Sequence, residues 1–195
     1  MRIIPPEALL EAYSKGIFPM ADSKDAEGVE WYSASQRGII PINEFHSPKN
    51  VQRIVRQGRF EIRVNHNFRK VVKECANRET TWINNLILDS YTVLSQLGHA
   101  YSVECYRNNE LEGGLYGVKL GGAFFGESMF RKAKEADKVA LQYCHQILEQ
   151  NNFILWDTQF YNDYLGRFGC IEVDTDEYNQ LLQQALEKEC EFKLA

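Results

Sequence analysis

Residues 113–130 read Gly113-Gly114-Leu115-Tyr116-Gly117-Val118-Lys119-Leu120-Gly121-Gly122-Ala123-Phe124-Phe125-Gly126-Glu127-Ser128-Met129-Phe130. Six of the chain's thirteen glycines fall here, among aromatic residues and one carboxylate. Glycines inside a strand mark bulges or close approaches of backbone or ligand. The pattern predicts a β-hairpin, with one strand over 110–119, a turn at Gly121 and Gly122, and a second strand over 123–125. Glu127 is then expected just past the end of the second strand. A second run, Trp156-Asp157-Thr158-Gln159-Phe160-Tyr161-Asn162-Asp163, follows the apolar residues Phe153 to Leu155. Strand alternation sends Asp157 and Gln159 to one face and Thr158 to the other. An acid and an amide beside a Gly-rich hairpin that carries another acid form a candidate polar pocket floor. The plainer alternative is an Asp-x-Gln pair that caps a neighbouring loop.

Working outward, the 195 residues suffice for one large domain or two small ones. Apolar residues make up 44% and charged residues 25%, a soluble globular profile. No apolar run approaches the ~20 residues of a membrane helix, so no membrane partner is expected. The first residues lack the apolar core of a signal peptide. Cys75, Cys105, Cys144, Cys170 and Cys190 are widely spaced, odd in number and without a Cys-x-x-Cys pair. That pattern argues against a zinc site or disulfide framework and fits a reducing cytoplasm. The four histidines are scattered, so neither a metal cage nor a Cys/His nucleophile is visible.

Helices are predicted over 5–13, 49–57, 67–76, from Asn84 or Asn85 to Leu97, 136–150, 161–168 and 176–188. Ser47 is the expected N-cap of the second, with Pro48 at its first position. Trp31 and Tyr32 are expected in the core. Strands are predicted over 99–106, in the hairpin, over 153–156 and over 170–173. This mixture describes an α+β fold, a mainly antiparallel sheet layered by helices. The expected division is a small basic N-terminal domain, residues 1–76, and a sheet-bearing domain, residues 77–195.

Charge is distributed unevenly. Between Lys49 and Lys73 stand eight basic residues and one acid, a local charge of +7 in a chain of net −5. Lys49, Arg53 and Arg56 recur at helical spacing on one face. Such a stripe can contact successive phosphates, or it is simply a solvated helix face.

Several blocks together resemble one family. They are Gly16-Ile17-Phe18-Pro19, Thr81-Trp82-Ile83, Leu97 to Glu104, Gly113 to Val118, Phe125-Gly126-Glu127-Ser128-Met129-Phe130 and Asp157-x-Gln159-x-x-Asn162-Asp163. In this order they are similar to the bacterial leucyl/phenylalanyl-tRNA–protein transferases, from about Leu9 to Tyr178. The resemblance implies a GNAT-type acyltransferase domain behind a small N-terminal domain. It implies transfer of leucine or phenylalanine from aminoacyl-tRNA to the N-terminal Arg or Lys of acceptor proteins, creating an N-degron. No cofactor or metal is implied, because the aminoacyl ester is already activated. By resemblance Asp157 and Gln159 are catalytic, and Glu127, Trp82 and Tyr91 hold the aminoacyl 3′ end. Leu115, Met129, Cys144 and Trp156 then form the side-chain pocket, while Lys49, Arg53 and Arg56 contact tRNA phosphates. Proton transfer by the protein and by the ribose 2′-hydroxyl both stay open. The Gly-rich loop that holds coenzyme A pyrophosphate is missing, since that region reads Arg131-Lys132-Ala133-Lys134-Glu135-Ala136-Asp137. A tRNA-binding protein without transfer activity, and an acyltransferase with another donor, are the alternatives. The family often has Trp where this chain has Met20, a larger apolar residue at Cys144 and a smaller one at Trp156.

Overall fold

The computed structural model describes residues 2–194. Helix α1 (Pro6–Ser14) opens with prolines that its first turn tolerates. Strands β1 (Phe18–Met20) and β2 (Glu30–Tyr32) pair as a small antiparallel ribbon. Next come β3 (Gln36–Ile39), a 3₁₀ turn at Ile42–Glu44, α2 (Lys49–Arg56), β4 (Glu61–Val64), α3 (Phe68–Ala76) and α4 (Asn85–Gln96). The side chains of Asn67 and Asn84 cap α3 and α4 by accepting the backbone N–H of Lys70 and Ile87. The second half holds β5 (Ala100–Arg107), β6 (Glu110–Leu120), β7 (Ala123–Arg131), α5 (Ala136–Gln150), β8 (Leu155–Gln159), α6 (Asp163–Gly166), β9 (Ile171–Asp174) and α7 (Thr175–Leu186).

Seven strands form one sheet in the order β4-β5-β6-β7-β8-β3-β9. The expected mainly antiparallel sheet is corrected to a mixed one, for β7 and β8 run parallel. Parallel neighbours need a crossover, and α5 supplies it. Both β3 and β4 come from residues ahead of position 77, so a border at residue 76 would cut through this sheet.

Each face of the sheet carries an apolar layer. Leu9, Tyr13, Val71, Ile87, Tyr91, Tyr116, Val118 and Phe125 pack on the side of α1, α3 and α4. Leu115, Phe124, Val139, Cys144, Ile147, Trp156 and Phe168 pack on the side of α5. Adjacent residues such as Phe124 and Phe125 divide between the two layers, as strand alternation requires.

Three local expectations change. The side chain of Ser47 does not cap α2; Pro48 takes the N-cap position, and the Ser47 hydroxyl is buried without a partner. Trp31 and Tyr32 are 45% and 37% exposed rather than core, because the β1–β2 ribbon stands outside the main sheet. Strand β7 does not stop at Phe125 but runs to Arg131, held by the long β6 through the pair Gly113–Arg131.

Candidate active site

The cleft originates in a divergence of strands. The β7–β8 ladder covers Ala123–Leu155, Phe124–Trp156 and Phe125–Asp157 and then ends. Beyond it both strands continue apart, and a cavity of about 400 Å³ opens between them, within the range of small-molecule sites. Leu115, Phe124, Met129, Leu141 and Trp156 give it apolar walls. Arg78, Trp82, Phe160, Asn162 and Tyr164 also line it.

Glu127 is delivered to this cleft by a bulge. Tyr116 pairs with Ser128 and Gly117 with Gly126, so Glu127 is the extra residue of β7. A bulge kinks a strand and re-aims the inserted side chain. That backbone must come very near its neighbour: a Cβ added to Gly117 would lie 2.3 Å from the Phe125 carbonyl oxygen. Thr158 is the matching extra residue where β8 meets β3. Gln159 follows at φ +61°, in the left-handed region, so regular alternation ends here. Thr158 and Gln159 both line the cleft, whereas Asp157 lies beneath it, fully buried.

The buried polar groups form two joined clusters. In the first, the Tyr13 hydroxyl donates to Glu127 Oε1 at 2.6 Å, and Gln159 Nε2 donates to the same oxygen at 2.9 Å. The Tyr91 hydroxyl is hydrogen-bonded to that of Tyr13. In the second, Arg37 Nε donates to Asp157 Oδ1 and Oδ2 at 3.0 and 3.1 Å, and Arg37 Nη2 donates to Oδ2 at 2.7 Å. The Tyr178 hydroxyl donates to Oδ2 at 2.6 Å. The backbone N–H of Gln159 donates to Asp157 Oδ1 at 2.7 Å and links the two clusters.

Burial raises the Glu127 pKa to about 8; Tyr13 and Gln159, hydrogen-bonded to the charged form, offset only part of that. At neutral pH this carboxyl mostly holds its proton. Burial, with Glu127 adjacent, also moves the Tyr13 and Tyr91 hydroxyls well above the ordinary tyrosine range. Burial works against the Arg37 charge, but Asp157 beside it leaves that guanidinium above its usual value. The Cys144 thiol is raised by burial alone, which makes it inert volume. The Tyr116 hydroxyl is buried at the cleft without a hydrogen-bond partner.

Of the residues singled out in the sequence, Glu127 and Gln159 meet directly, and Trp82, Leu115, Met129 and Trp156 line the same cleft. Tyr91 reaches Glu127 through Tyr13. Cys144 is buried in the α5-side layer and is not part of the lining. Lys49, Arg53 and Arg56 are exposed on α2, whose Val51 and Ile54 face inward, and they stand apart from the lining. Sequence inspection missed Tyr13, Arg37, Arg78 and Tyr178. Arg37 carried the weakest signal, a lone cation beside Gly38 in a short strand.

A mixed α+β sheet that parts over a buried acid and amide, with apolar walls above them, defines an enzyme-type cleft. The chain belongs, more narrowly, to the leucyl/phenylalanyl-tRNA protein transferase family of aminoacyltransferases. The model of that family's main domain matches residues 39–183, and the model of its N-terminal domain matches residues 3–35. A leucyl/phenylalanyl-tRNA–protein transferase from Rhizorhabdus wittichii is 46% identical over 190 residues, 95% of this chain and 77% of the relative. The protein of that name from Nitrobacter winogradskyi is 46% identical over 193 residues, 97% of this chain and 86% of the relative. Among solved structures, L-PGS from Bacillus licheniformis aligns with a TM-score of 0.43 at 14% identity, over 82% of this chain and 55% of that one. A GCN5-related N-acetyltransferase-like protein from Streptococcus suis aligns with a TM-score of 0.38 at 13% identity, over 86% of this chain and 64% of that one.

Proposed function

We propose that the chain moves leucine or phenylalanine from aminoacyl-tRNA to the N-terminal Arg or Lys of cytoplasmic proteins, marking them as N-degron substrates. The observation that carries this reading is Glu127, an acid inserted by a bulge at an apolar cleft and hydrogen-bonded to Gln159. The donor's side chain enters among Leu115, Met129 and Trp156, with Cys144 behind them. Each methylene that a smaller side chain lacks forfeits ~0.8 kcal/mol. Trp82 stacks on the terminal adenosine. Arg78, exposed and free of carboxylate contacts in the described residues, meets the adjoining phosphate.

The donor's α-ammonium pairs with Glu127. Its arrival displaces the Glu127 proton, because an adjacent cation favours the carboxylate. Gln159 spends its amide nitrogen on Glu127, which leaves the amide oxygen to accept an N–H of the attacking amine. That amine adds to the ester carbonyl and loses a proton. The ribose 3′-oxygen departs and gains one, giving a peptide bond and free tRNA. Positioning of the two reactants supplies much of the acceleration. In this scheme residues 1–76 bring phosphate contacts through α2, and residues 77–195 bring the GNAT-type catalytic surface. A pyrophosphate-bearing donor at the start of α5 would meet the buried carboxylates of Glu135 and Asp137, which disfavours coenzyme A.

The test uses Leu-tRNA and Phe-tRNA labelled on the amino acid and two matched peptides, one beginning with Arg and one with Ala. Label is expected on the Arg peptide alone. Retention of tRNA in a filter assay without transfer to either peptide would overturn the assignment.

A further inference from the structure

We infer that Arg37 and Tyr178 are positioning residues for the transfer step, acting through Asp157 on the backbone of Gln159; the inference rests on the transferase reading above. Asp157 is saturated. Its two oxygens accept from Arg37 Nε, Arg37 Nη2, the Tyr178 hydroxyl and the Gln159 N–H, at 2.6–3.1 Å. A carboxylate offers about four acceptor sites, so none is left for an incoming amine. An ion-paired, fully hydrogen-bonded carboxylate beneath the floor is an anchor, not a base.

The anchor has one contact toward the cleft, the N–H of Gln159. Gln159 is held at φ +61°, a conformation that L side chains seldom adopt without a fixed partner. That backbone geometry places its amide on Glu127. Loosening Asp157 therefore releases Gln159.

Arg37 is itself fully engaged. Nη1 donates to the Gly16 carbonyl at 2.8 Å. The rings of Phe18 and Tyr178 each lie 4.7 Å from its guanidinium carbon. Neither Arg37 nor Tyr178 lines the cleft, so neither touches substrate. Gly16 completes the arrangement. It sits at φ +70°, and a Cβ there would lie 2.8 Å from Tyr178 Cε1. The chain thus joins the turn after α1, the strand β3 and the helix α7 to the backbone amide of Gln159.

Arg37→Gln leaves a buried carboxylate without a counter-charge, and unfolding is its expected result. Tyr178→Phe removes a single hydroxyl and is the informative variant. Steady-state transfer should show kcat lowered by about 10- to 100-fold, with KM for aminoacyl-tRNA unchanged. A kcat within twofold of the parent, or a loss carried by KM rather than by kcat, would overturn the inference.

A second readout needs no turnover. Hydrogen exchange at the Gln159 amide, followed by mass spectrometry of the β8 peptide, should accelerate in Tyr178→Phe while the rest of the sheet keeps its protection. Unchanged protection at Gln159 would overturn the inference even if the parent protein transferred nothing. Absence of transfer by the parent, with faster exchange in the variant, would instead sink the transferase reading and leave the anchor standing.

Discussion

Glu127 has an ordinary carboxyl pKa of 4.5 when exposed and about 8 in the fold, with burial as the main cause. Below pH 4.5 the group is neutral in both folded and unfolded chains and costs nothing. As pH rises toward 8 the unfolded chain ionises first, and stability falls until the folded group ionises as well. A shift of this size is worth a few kcal/mol. Glu127→Gln keeps an oxygen to accept from Tyr13 and Gln159 but cannot ionise. Its melting temperature should match the parent's at pH 5 and exceed it at pH 9, by an amount on the order of 10 °C. Equal melting at both pH values would contradict the raised pKa. Under the proposed function donor affinity should also fall in this variant, since the carboxylate proposed to pair with the α-ammonium is gone. Tyr116 makes a contrasting case. Its hydroxyl is buried without a partner, a cost of about 1–3 kcal/mol. Tyr116→Phe should therefore melt higher than the parent, and a lower melting temperature would show that the hydroxyl is satisfied.

Helix α2 separates an exposed basic stripe from a packing face within one element. Val51 and Ile54 face inward, while Lys49, Arg53 and Arg56 are exposed, and no ion pair engages any of the three in the described residues. Arg53→Glu with Arg56→Glu should leave thermal melting nearly unchanged and weaken tRNA binding at low salt. The slope of log affinity against log salt should flatten by about one per lost phosphate contact. Unaltered affinity would reduce the stripe to a solvated face. Element by element, the sequence was most legible where periodicity is local. Helix α5 spans the expected 136–150, and of the two asparagines expected to cap α4 it is Asn84 that does so. The β6–β7 hairpin was legible too, but the bulge in it was not. Gly126-Glu127-Ser128 reads as a strand end, and only the cross-strand register shows that pairing resumes past the inserted Glu127. Gly117 makes that resumption possible, so Gly117→Ala should cost more than about 2 kcal/mol in chemical denaturation. The short β4 escaped notice because its four residues, Glu61 to Val64, carry two charges and only two apolar side chains.

At the scale of the molecule, the partners that complete the site lie far apart in sequence. Tyr13 meets Glu127 across 114 residues and Arg37 meets Asp157 across 120, and no periodicity announces such pairs. Asp157 and Gln159 could be picked out because they share one short strand. Their supports could not, because Arg37 and Tyr178 are brought to them only by β3 lying between β8 and β9. This interlock makes a sharp demand on any dissection of the chain. Residues 77–195 alone would retain β5 to β9 but lose β4 from one edge and β3 from its place between β8 and the other edge strand, β9. They would also bury Asp157 without Arg37, and breaking a buried pair costs about 3–5 kcal/mol out of a typical total of about 5–15. Expressed alone, the 77–195 segment should therefore show no cooperative thermal transition and poor amide dispersion in NMR. Co-expression with residues 1–76 as a separate chain should restore both, because β3 and Arg37 then return to their places. A segment 77–195 that melts cooperatively by itself would mean that the sheet closes without β3, and that Asp157 finds its counter-charge elsewhere.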